Sequence, residues 1–130
     1  MFYIVGLIAG VVSFATGCLW YTALFGRIWR KGMGFSDERV KLALAPRRVL
    51  VAMAGELVAA VGTTAVLLAL PFSLVASAGL MAAIVISHGV KLAIFDGKSP
   101  SVILINEGYK LATVLITTIG VFVFGGQMAG

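Results

Sequence analysis

Residues 2–26 read FYIVGLIAGVVSFATGCLWYTALFG, without one charged side chain. About 20 consecutive apolar residues cross the hydrocarbon core of a bilayer as a helix. This stretch is long enough, and three more follow it. Residues 49–70 contain only Glu56 as a charge, residues 74–95 contain His88 and Lys91, and residues 101–125 contain Glu107 and Lys110. Strands are a poor alternative, because the runs are too long and lack the polar–apolar alternation of a barrel.

Composition agrees. Of the 130 residues 61% are hydrophobic and 12% charged. Soluble domains carry about 25% charged residues, and a chain this short could not bury so much apolar surface. The expected fold is all-α: an integral membrane four-helix bundle in a single transmembrane domain over 1–130. Helices are expected at about 2–26, 49–70, 74–95 and 101–125, with lipid as the immediate partner.

The net charge of +5 would raise nucleic-acid binding in a soluble protein. Here the cations gather in residues 27–48, where Arg27, Arg30, Lys31, Arg39, Lys41, Arg47 and Arg48 face only Asp37 and Glu38. That pattern marks a membrane orientation, and nucleic acid is set aside. The 71–73 turn carries no charge, whereas the third connection holds Asp96 and Lys98. With four spans both charged connections fall on one side. The positive-inside rule makes it cytoplasmic, leaving both termini outside, in a plasma (inner) membrane. Within the basic segment Ser36 can cap a helix whose first turn holds Asp37 and Glu38. A short interfacial helix is expected over 37–45, closed by Pro46.

Gly6, Gly10, Ser13 and Gly17 fall on one face of the first helix at steps of four, three and four. Small residues let helix backbones approach closely in lipid. This stripe is expected to be a packing seam, against another helix of the chain or against a second protein.

The ionisable residues inside the spans are the most informative feature. Glu56, His88, Lys91, Asn106, Glu107 and Lys110 all lie in the cytoplasmic half, mostly about 10 Å inside their helix ends at 1.5 Å per residue. Charges in hydrocarbon need partners or water, and two acids balance two lysines. Asn106, Lys110, Thr113, Thr117 and Gly120 continue a polar or small stripe along the last helix, and Glu56 and Thr63 lie two turns apart on the second. Two readings compete. The cluster is a closed salt-bridged network that fixes helix register, or it lines a hydrated cavity that binds a small solute, ion or proton. His88 can titrate near neutral pH, but it has no second His or thiolate for a metal site. Cys18 stands alone. No nucleophile motif or phosphate loop is visible, so the expectation is a non-enzyme without cofactor or metal.

Trp20, Tyr21 and Trp29 suit an interfacial aromatic belt, although Trp20 and Tyr21 lie deep enough to face the bundle. They also carry a resemblance. The segment Gly17-Cys18-Leu19-Trp20-Tyr21-Thr22-Ala23-Leu24-Phe25-Gly26-Arg27-Ile28-Trp29 and the later Asn106-Glu107-Gly108-Tyr109 are similar to the small membrane proteins catalogued as domain of unknown function 1761. In that family a Gly-x-x-Trp-Tyr stretch is followed by Phe-Gly-basic-x-Trp, and later by Asn-x-Gly-Tyr. A His often follows that Tyr; here the residue is Lys110. The resemblance implies a four-helix membrane fold, brings no established activity, and makes Trp20, Tyr21, Phe25, Trp29, Asn106 and Tyr109 candidates for a shared site. Two roles follow as expectations: a cytoplasm-facing cavity used in solute or ion movement, for which four helices would need a homodimer, or an accessory subunit that packs on another membrane protein through the Gly6–Gly17 face.

Overall fold

The computed structural model describes residues 1–128; the end of the expected 1–130 domain, residues 129 and 130, lies outside them. The described chain is all helical, in the order α1 (Phe2–Leu19), a π-helical turn (Trp20–Leu24), α2 (Gly26–Met33), α3 (Asp37–Ala43), α4 (Pro46–Ala69), α5 (Leu74–Phe95) and α6 (Pro100–Met128). Four stretches are long and apolar enough to cross a membrane: Phe2–Leu24, Pro46–Ala69, Leu74–Phe95 and Pro100–Gly125.

The ends of these helices follow local chemistry. Ser36 accepts a hydrogen bond from the Arg39 amide at 3.2 Å and caps α3, and Ser73 does the same for α5 through the Ala76 amide at 3.2 Å. Pro46 both follows α3 and opens α4, three residues before the expected start; its fixed φ and missing N–H suit the first turn. Gly34 (φ 69°) and Gly97 (φ 72°) end α2 and α5 in the left-handed conformation glycine adopts freely. The Phe35 and Lys98 amides then reach back to the Arg30 and Ala93 carbonyls, both at 3.0 Å, which satisfies the last turns.

The first span is helical to Leu24, two residues short of the expected end, and its last turn is π-helical. The Phe25 amide bonds the Trp20 carbonyl at 2.9 Å, a five-residue step. Phe25 then leaves the helix (φ −124°, ψ 6°), and the Trp29 amide restarts the ladder on the Phe25 carbonyl. Gly26 is required here, because a Cβ would lie 2.7 Å from the Tyr21 carbonyl oxygen. An inserted residue rotates everything after it on the helix surface, and α2 grows from that break inside what reads as a basic loop.

α1, α4 and α6 form the centre of the bundle, and α5 leans almost wholly on α6, with little contact to α4. The α1–α4 seam uses the small-residue stripe. A Cβ on Gly6 would lie 2.7 Å from the Val61 backbone, and one on Gly10 would meet Leu57 at 2.8 Å; Ser13 is fully buried. Gly17 lies under the Tyr109 ring of α6. The stripe is therefore a seam within the chain. Of the two partners expected for it, the structure shows another helix of the same chain. At the charged end, Gly32 of α2 packs against Val102 and Ser99, so the basic segment and the third connection share one end of the bundle.

Candidate functional site

The π-helical turn aims Trp20 and Tyr21 inward at α6. The Trp20 indole N–H donates to the Ile105 carbonyl at 2.9 Å. The Tyr21 hydroxyl donates to Asn106 Oδ1 at 2.8 Å, and the Trp29 indole N–H donates to the same oxygen at 3.1 Å. Tyr109 answers from α6: its hydroxyl donates to the Ser13 carbonyl at 3.0 Å, and Glu56 of α4 lies beside that hydroxyl.

These rings form a continuous string. Phe35 meets Trp29 edge-to-face at 5.1 Å, Trp29 meets Tyr21 at 5.0 Å, and Tyr21 meets Tyr109 at 5.5 Å. Trp20 closes it against Tyr109 at 6.4 Å and Phe25 at 4.9 Å. Edge-to-face pairs at such distances are favourable beyond the area they bury. The Trp-Tyr residues are thus internal, not an interfacial belt.

Beneath the string lies a cavity of about 380 Å³. Tyr21, Trp29, Tyr109 and Phe14 supply its aromatic wall, and Phe35, Val40 and Leu44, from and beside α3, roof it. Along α4 the wall is Arg48, Ala52 and Glu56, one helix face at steps of four. At 1.5 Å per residue that face runs about 12 Å from the basic end to Glu56. Arg30 of α2 joins Arg48 at the outer end. Binding pockets for small molecules have this character: a few hundred Å³, mostly apolar, with a few placed polar groups.

A second, smaller cavity of about 30 Å³ continues beyond Glu56. Ser13, Thr63, Thr113 and Thr117 line it, with Glu56 shared between the two spaces. The stripe read along 106–120 divides, with Lys110 turned towards Gly89 of α5. Asn106 serves the aromatic string, Thr113 and Thr117 line the small cavity, and a Cβ on Gly120 would meet Val5 at 3.4 Å.

The expected six-residue cluster divides. Glu107 is buried and pairs with half-exposed Lys110 at 2.9 Å, three residues on along α6. That pair sits against Gly89 of α5, where any side chain would overlap the Lys110 amine and the Glu107 carboxylate. Glu56 belongs to the cavities instead. His88 and Lys91 are not brought in: both are exposed on the outer face of α5. Next to Gly89 they have the right depth and the wrong face, because Gly89 takes the inward position at that level. Sequence reading missed Phe14, Phe35 and the α3 roof as cavity residues. It missed α2 as well, although Arg30 and Lys31 at a helix C-terminus ahead of Gly34 signal a helix end.

No curated protein and no solved structure gives a significant match. The family comparison is positive, and it spans the π-helical turn, the aromatic string and both cavities. Its profile, described as protein of unknown function (DUF1761), matches residues 4–123, and the chain belongs to that family.

Proposed function

We propose that this membrane protein binds a small amphipathic solute in the 380 Å³ cavity, as a non-enzymatic step in solute movement. The observation that carries the reading is the course of the cavity, from Arg30 and Arg48 at the basic end to Glu56 beneath an aromatic wall. An apolar body rests on the Tyr21, Trp29 and Tyr109 rings. A polar or cationic end reaches Glu56, the one acid in the wall. The basic end faces the cytoplasm of a plasma (inner) membrane and both termini face away, by the charge rule. The roof supports an entry from that side, since α3 packs closely on no other helix.

Four helices enclose little space, so a crossing path calls for a second copy. The face for it is the outer side of α5, where Ile84, His88, Lys91 and Phe95 form one exposed stripe. Polar groups on that face need cover in hydrocarbon.

The test is a titration of the purified protein with small aromatic ammonium and aromatic carboxylate probes, followed by tryptophan fluorescence, beside a proteoliposome flux or pH-jump assay. Saturable quenching that Ala52→Phe abolishes, with flux lost in Glu56→Gln, supports the reading. Quenching unchanged in Ala52→Phe, or flux unchanged in Glu56→Gln, counts against it.

A further inference from the structure

The small cavity beyond Glu56 has a polar imbalance. Its lining residues include one acid, Glu56, and four hydroxyl residues, Ser13, Thr63, Thr113 and Thr117. Two of those hydroxyl protons are already committed to the backbone: Thr113 donates to the Lys110 carbonyl at 2.7 Å, and Thr117 donates to the Thr113 carbonyl at 2.9 Å. A hydroxyl that has given its proton away presents only lone pairs. Ser13 is completely buried, and its Oγ has no partner among the described residues, which is costly unless something fills the space.

Glu56 lacks a counter-ion as well. Among the described residues the one ion pair is Lys110 with Glu107, and it lies on the α5 side of α6, against Gly89. Arg30 and Arg48 line the other end of the larger cavity. A carboxylate within a membrane span without a cation is expensive. The space is about 30 Å³, enough for one compact species at about 10–15 Å³ per water-sized occupant.

The geometry points to a site for a dehydrated alkali cation of sodium's class, held by Glu56, Ser13, Thr63, Thr113 and Thr117. Hard monovalent cations take oxygen ligands, and one carboxylate neutralises one charge. Among the described residues no cluster of three or more His, Cys, Asp or Glu gathers, so the donor set does not suit a divalent transition metal. The site extends the proposed function through Glu56, which faces both spaces, but occupancy by the cation needs no solute. Filling the small space would fix the carboxylate that closes the larger one.

The probe is Na⁺, compared with N-methylglucamine at constant chloride and pH, on the purified full chain in detergent. The unfolding temperature should rise saturably with Na⁺ and not with the bulky amine, as for any ligand that binds the folded state. Ser13→Ala and Thr117→Val each remove one oxygen with little change of shape. Each should raise the half-saturating Na⁺ about tenfold, and Glu56→Gln should abolish the response. Superimposable curves for the wild-type chain in the two salts would overturn the proposal, whether or not any variant folds. So would a Na⁺ response unaltered in both hydroxyl variants, or one that follows pH alone, which would place a proton and a water there. Ala52→Phe keeps the two proposals apart: it blocks the larger cavity and should leave the Na⁺ response intact.

Discussion

The Tyr21 hydroxyl donates to Asn106 Oδ1 at 2.8 Å across 85 residues of chain. Trp29 donates to the same oxygen at 3.1 Å, so one amide fixes both sides of the helix break. Replacing Asn106 by Leu leaves two half-buried donors without an acceptor. The expected cost is roughly 1–3 kcal/mol, seen as a lower unfolding temperature in detergent. Tyr21→Phe removes a single donor and should cost less. Tyr21→Phe placed on Asn106→Leu should cost almost nothing further, because the partner is already gone. Additive losses would show that the two residues are not coupled.

Gly89 and Gly79 lie on the same helix and should answer an added methyl oppositely. At Gly89 the methyl overlaps the Glu107–Lys110 pair; at Gly79 it meets nothing within 4 Å. Gly89→Ala is expected to push the Lys110 amine and the Glu107 carboxylate aside, weakening their contact and destabilising by about 1 kcal/mol. Gly79→Ala should be neutral or stabilising by up to about 1 kcal/mol, the helix-propensity gain. Thermal unfolding of the two variants side by side decides it.

These contrasts show where the sequence was readable. Span lengths and the antiparallel order follow from hydrocarbon thickness, and the Glu107–Lys110 pair follows from a spacing of three on one helix. The inward face of α5 does not follow. In lipid the outer surface is as apolar as the core, so no amphipathic stripe marks the buried side, and His88 and Lys91 read as interior at the right depth. The π-helical turn was hidden because Trp20–Leu24 continues the apolar run without a charge or a proline, and Gly26 reads simply as the end of the span. α2 was hidden because its charges resemble a loop, while its inward contacts come from Trp29 and Gly32.

The small-residue stripe should act on the fold of a single chain and not on association. Gly6→Ala puts a methyl 2.7 Å from the Val61 backbone, and Gly10→Leu drives into Leu57 and Ala60. Both should lower the unfolding temperature, Gly10→Leu the more severely. The oligomeric state of whatever Gly6→Ala protein remains folded should match the wild type by light scattering. A clean loss of oligomer at unchanged stability would show that the stripe meets a second copy.

Orientation has a direct test. Cys18 is exposed and is the single thiol, so Cys18→Ser gives a blank background. On it, Ser36→Cys and Lys98→Cys should react with a membrane-impermeant maleimide from the same side, since the two connections share one end of the bundle. Ser73→Cys should react from the opposite side. The charge rule places the first pair in the cytoplasm, so intact cells should label only Ser73→Cys.

Lys110 stands where the family resemblance expects a His, and among the described residues its amine is the sole ionic partner of buried Glu107. Glu107 Oε2 has no hydrogen-bond partner among the described residues, so the carboxylate depends on the contact through Oε1. Lys110→Met should therefore be among the most damaging single changes, at roughly 3 kcal/mol, because it strands a buried charge. Adding Glu107→Gln removes that charge and should recover most of the loss, since replacing both partners of a buried pair is often close to neutral. Glu56→Gln should not rescue Lys110→Met, because Glu56 faces the cavities on the other side of α6. Rescue by Glu56→Gln would mean that the two acids share one network, and the separation of site from ion pair would fail.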